Sequence, residues 1–249
     1  MDTRSKRTWT GRSGRAYLPL MAVALPQCYR TTVGKKAVMA VTGGILVLFL
    51  IAHMAGNLKV FLGASEFNHY AEWLRTVGAP AVPRRGLLTV AEVLLGVSVI
   101  LHMWSAVSLA RTARRARPVG YAAKKRSHAQ GYAVRTMRWG GVIIALYLVW
   151  HLLDLTFGAV NPEGGGATPY AKVVADFAPS HWYVTVFYVV AVIMVGLHLR
   201  HGIRSAAQTL GLTAGRGVRS YDLLAATVSI LLVAGFLAVP IAVSLGWVK

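Results

Sequence analysis

Four histidines, His53, His102, His151 and His198, stand alone among apolar residues at nearly equal steps along the chain. Each falls in a separate long hydrophobic run, one in each of the first four. An ionisable side chain inside a hydrocarbon layer is costly enough that it usually marks a function, and imidazole is the side chain that most often binds haem iron. The chemistry these residue types and spacings predict is haem ligation inside a membrane.

The elements that must position the rings follow from composition. The 249 residues are 55% hydrophobic and 14% charged, and a helix of about 20 apolar residues crosses a hydrocarbon core of roughly 30 Å. Five segments qualify, near Val33 to Gly56, Gly86 to Ala110, Met137 to Phe157, Trp182 to Ser205 and Leu223 to Val248. The expected fold is therefore an all-α integral membrane protein of five transmembrane helices, the first four forming an up-and-down bundle around two haems. A basic N-terminal segment, 1–32, precedes this single polytopic domain, 33–249.

The net charge of +19 is unevenly placed. Lys and Arg number eight from Arg4 to Lys36, nine from Arg111 to Arg138, and four from Arg200 to Arg219. The first connection has four, the third only Lys172 and the tail only Lys249. By the positive-inside rule the N-terminus and the even connections are cytoplasmic, while the odd connections and the C-terminus lie outside. The charge is thus a topology signal and not a nucleic-acid footprint, with basic loops beside anionic lipid or against an acidic patch on a cytoplasmic partner. The lone Cys28 excludes a disulfide framework within the chain and a covalent haem attachment.

With topology set, a rise of ~1.5 Å per residue gives each histidine a depth. His53 and His151 lie roughly 20 to 25 Å from the inner face, and His102 and His198 within about 10 Å of it. Helices one and three are diagonal partners in an up-and-down bundle, as are two and four. The expected pairs are therefore His53 with His151 on the outer level and His102 with His198 on the inner level, each clamping one b haem. Zinc fits poorly, since it needs three or four ligands converging within about 2 Å of one ion. His201, one turn beyond His198, is the alternative inner ligand. His69, His128 and His181 fall in connections, where solvation is the default; His69 is nearest the outer level.

At this point the residues carry a resemblance. Thr42-Gly43-Gly44 through Phe49, His53-Met54-Ala55-Gly56-Asn57-Leu58 and Phe67-Asn68-His69-Tyr70-Ala71 resemble the first span and outer loop of the cytochrome b anchor of succinate dehydrogenases and fumarate reductases, of the bacterial five-helix, two-haem type. Ala116 to Tyr121, His151-Leu152-Leu153-Asp154-Leu155-Thr156 and His198-Leu199-Arg200-His201-Gly202 with Ser205 to Gly211 are similar to its later landmarks.

The resemblance implies an anchor in the bacterial cytoplasmic membrane whose inner face docks an iron-sulfur subunit that is itself joined to a flavoprotein. The inner haem would exchange electrons with the iron-sulfur subunit and the outer haem with a quinone, menaquinone by the family's bacterial distribution; higher oligomers are compatible with it. No dinucleotide fingerprint or iron-sulfur cysteine set is present, so succinate chemistry would belong to the other subunits. Quinone turnover moves protons, which makes Glu66, Glu72, Glu92 and Asp154 the candidate proton-handling carboxylates. For haem propionates the candidate donors are Asn57 and Lys59 outside and Arg111 and Arg200 inside. Relatives that compensate charge through a glutamate two residues before the last ligand have Gly196 here, which puts that route in doubt. The competing readings are a diheme anchor of a hydrogenase or formate dehydrogenase, and a haem-free transporter. Trp73, Trp139, Trp182 and Trp247 read as interface anchors.

Overall fold

The computed structural model describes residues 31–116, 128–212 and 217–249. The N-terminal basic segment with Cys28, and the stretch Arg117 to Tyr121, lie outside them. All regular structure among the described residues is helical: α1 Thr32–Asn57, α2 Ala64–Thr76, α3 Gly86–Arg115, α4 His128–His151, α5 Pro169–Asp176, α6 Trp182–Thr209 and α7 Gly217–Ser244. Five of them, α1, α3, α4, α6 and α7, are long and apolar enough to cross a membrane. The chain is a multi-pass, all-α membrane protein.

The start of α1 is fixed by Thr31, whose hydroxyl accepts from Gly34 N at 2.9 Å and so satisfies one of the orphan donors of a helix start. Thr168 caps α5 in the same way, with Pro169 in the first turn. The spanning helices place their large apolar side chains outward, among them Leu48, Val90, Ile100, Leu146 and Ile230, each about two-thirds exposed. Small and polar side chains, Thr42, Ser98, Ser105, Ala225 and Ser229, are buried instead. Lipid is as apolar as leucine, so helices associate in it through close approach of small residues and polar contacts rather than through a greasy core. Gly196 shows the rule: a Cβ there would collide with Val233 of α7.

The packing order is α3 against α1, α1 against α6 and α6 against α4, with α7 laid over α6 and α1. Helices one and three of the bundle, and two and four, therefore stand diagonally. The flank between α3 and α4 departs from a closed square, for these two share no packed face among the described residues. At one end of the bundle the connections fold into α2 and α5, which pack on each other, and a core forms there from Val60, Phe67, Phe177, Val184, Tyr188, Val239, Ala242 and Val243. That end carries His53 and His151.

Candidate functional site

The rings meet in two diagonal pairs. His53 of α1 and His151 of α4 have ring centres 5.9 Å apart, and His102 of α3 and His198 of α6 have theirs 6.2 Å apart. A metal bound at about 2 Å from one nitrogen of each of two opposed imidazoles places the ring centres roughly 6 Å apart. Both separations match. His198, not His201, has its ring against His102. No three metal-ligating side chains converge among the described residues, as a zinc site requires.

The nitrogens support the same donor set. His102 Nδ1 is 3.1 Å from the Met39 carbonyl and 3.3 Å from Thr42 Oγ1, while that hydroxyl bonds the Val38 carbonyl at 2.7 Å. A carbonyl partner fixes Nδ1 as the donor and leaves Nε2 as the basic nitrogen, the arrangement by which a second shell orients a ligating histidine. His151 Nδ1 and His198 Nδ1 are buried without a partner. The four rings thus fit a pair of bis-imidazole irons.

Around the His53–His151 pair the wall is aromatic. Phe49 stacks on His53 at 5.1 Å, Phe236 approaches it at 5.9 Å, and Tyr147 and Tyr188 flank His151 at 5.6 and 6.1 Å. Beyond His53 the chain turns through Leu58–Leu62 into α2, where Lys59, Glu66, His69, Tyr70 and Trp73 line a pocket of about 330 Å³. Lys59 Nζ sits 5.3 Å over the Tyr70 ring, which stacks on Trp73 at 5.8 Å. Gly56 lets Tyr70 close on α1, since a Cβ there would lie 2.7 Å from Tyr70 Cε1.

The family model of the succinate dehydrogenase/fumarate reductase transmembrane subunit matches residues 113–236, about half of the chain, with His151 and His198 inside the match. The chain belongs to that family. No curated protein and no solved structure matches it.

Within this transmembrane subunit the remaining candidates disperse. Glu66 is in the pocket. Glu72 is instead held by Arg84 at 2.7 Å and Arg75 at 3.9 Å, and Glu92, half-exposed, by Arg85 at 3.0 Å. An acid in an apolar helix needs a partner, and Glu92 finds one at the helix end. Asp154 is wholly buried, away from the pocket, accepting from Tyr188 Oη at 2.9 Å and Asn161 Nδ2 at 3.0 Å. Of the propionate candidates, Lys59 lines the pocket, Asn57 is half-buried at the end of α1, and Arg111 and Arg200 are exposed toward the opposite end. Gly196 has a packing reason, because a glutamate there could not coexist with Val233. Sequence reasoning missed Tyr147, Tyr188 and Asp176, which ordinary aromatic and loop composition conceals.

Proposed function

We propose that this subunit is a diheme cytochrome b anchor of a succinate:quinone oxidoreductase, relaying electrons between an iron-sulfur subunit on its cytoplasmic face and a membrane quinone at the α2/α5 end. His102 and His198 would hold the inner haem and His53 and His151 the outer one. Two b haems would supply one-electron carriers on successive levels of the bundle. The observation that carries the reading is the meeting of four otherwise isolated rings in two diagonal pairs at 5.9 and 6.2 Å.

The chain's own residues set the rest. Met39 and Thr42 orient His102, and the aromatic wall keeps water from the outer pair. In the pocket, Tyr70 and Trp73 offer faces for a quinone ring, while Glu66 and His69 can give or take the two protons of a two-electron quinone step. By the positive-inside rule this pocket faces outside. Menaquinone is the preferred substrate on the family's bacterial distribution. The basic inner connections would dock the iron-sulfur subunit, to which a flavoprotein is joined.

The test is purification of the intact complex, with identification of co-purifying subunits and a reduced-minus-oxidised spectrum. Expected are a flavoprotein and an iron-sulfur protein in equal amounts, and six-coordinate b haem at two per chain. Carefully prepared complex without haem would overturn the relay.

A further inference from the structure

The His102 ring of α3 is seated on α1, against which α3 packs. Its Nδ1 lies 3.1 Å from the Met39 carbonyl and 3.3 Å from Thr42 Oγ1, and a Cβ on Gly43 would come within 3.3 Å of its Cε1. Thr42 itself is buried. A hydroxyl carries one proton and two lone pairs. The Thr42 proton goes to the Val38 carbonyl at 2.7 Å, with the Met39 carbonyl at 3.3 Å as the longer alternative on the same helix. Toward the ring the hydroxyl is therefore an acceptor, and a carbonyl can be nothing else.

Two acceptors thus converge on one ring nitrogen, which must carry the hydrogen. Acceptors at Nδ1–H pull the ring toward imidazolate character and make Nε2 the stronger base. A stronger base favours ferric over ferrous iron, so hydrogen bonding behind an axial ligand is a lever on haem potential. The facing ring has no such seat, for His198 Nδ1 is buried without a partner. His151 Nδ1 is equally unpartnered, and that ring is placed by the π turn Leu152–Thr156 that follows it and by the rings of Tyr147 and Tyr188. Thr42 stands about three turns before His53 on α1, roughly 16 Å of helical rise. Its influence is therefore confined to the level of His102.

We propose, resting on the diheme reading above, that Thr42 is a positioning residue that lowers the reduction potential of the inner haem and tightens its hold, by accepting the His102 Nδ1–H jointly with the Met39 carbonyl. Thr42 touches neither iron nor quinone and acts through the ring it holds. Because the Met39 carbonyl is backbone and survives any substitution, the hydroxyl is the part of the seat that a side chain can adjust.

Redox titration of the intact complex tests it. Thr42→Val keeps the shape and removes the acceptor, and should raise the potential of one of the two b haems while leaving the other unchanged; Thr42→Ser should restore the wild-type value. Loss of one haem in Thr42→Val with retention of both in Thr42→Ser supports the same role, since partners behind a ligand are worth about 10–100-fold in metal affinity. Two haems with unmoved potentials in Thr42→Val, or with both potentials moved alike, overturn the proposal and leave the diheme relay standing. Wild-type complex without haem overturns the relay itself, and this role with it. Should Thr42→Val fail to assemble, nitrogen NMR of the reduced, diamagnetic wild-type complex labelled in its histidines decides. A ligand Nδ1–H resonance displaced toward strong hydrogen bonding is expected, and its absence from every ligand overturns the seat.

Discussion

At the scale of single residues, an imidazole surrounded by leucine and valine is conspicuous in a sequence, and the four whose rings meet in pairs were legible for that reason. Their pairing was legible too, because depth follows from helical rise once orientation is set. Asp176 was not legible, since an aspartate in a short connection reads as solvated until the fold buries it against Asp154. Its burial has a thermodynamic signature. With its pKa raised from 3.8 to about 8, the native state keeps a proton that the unfolded chain has already lost. The contribution of Asp176 to stability is therefore greatest below about pH 4, falls as pH rises through that window and levels off above about 8. The apparent melting temperature of the detergent-solubilised complex should show that slope, and Asp176→Asn should remove it. The His102 ring has little slack on the α1 side: a Cβ on Gly43 would lie 3.3 Å from His102 Cε1. On the proposed diheme reading, Gly43→Val should push the ring away and deplete the inner haem while sparing the outer one, as read from the haem content and the split of the b-haem spectrum.

Among elements, the five spans were legible from runs of hydropathy, which lipid enforces more strictly than water does. α2 and α5 were not anticipated. They are short and amphipathic, and their helicity depends on packing against each other, with Tyr170 N donating to Asn68 Oδ1 at 3.1 Å and the Tyr170 ring meeting Phe67 at 6.2 Å. The π turn after His151 was hidden for a related reason, because no residue type signals it. The contact between α6 and α7 depends on the absence of a side chain at Gly196. Gly196→Leu should cost about 1–3 kcal/mol by overpacking against Val233, seen as a lowered unfolding midpoint. Val233→Ala in the same chain should recover part of it, the coupling expected of residues in contact.

On the scale of the whole molecule, orientation rests on the distribution of lysine and arginine, and it has a direct readout. With Cys28 replaced by serine, a cysteine at Trp247, 77% exposed, should react with a membrane-impermeant thiol reagent added to intact cells. A cysteine at Arg111 should be protected until the membrane is opened. Reversed reactivity would invert the assignment of inner and outer levels.

Among the described residues the α3 helix, which brings His102, leans chiefly on α1. The exposed Arg84–Glu72 and Arg85–Glu92 pairs beside it add little grip. Its counterpart α4 is fastened at its far end by Asp154 to Tyr188 and Asn161. The scaffold therefore has a weak seam, and gentle warming in detergent should peel it along α3 first. Backbone amides of α3 would then exchange with solvent ahead of those of α6, and on the proposed diheme reading a group held at His102 would be lost before one held at His151.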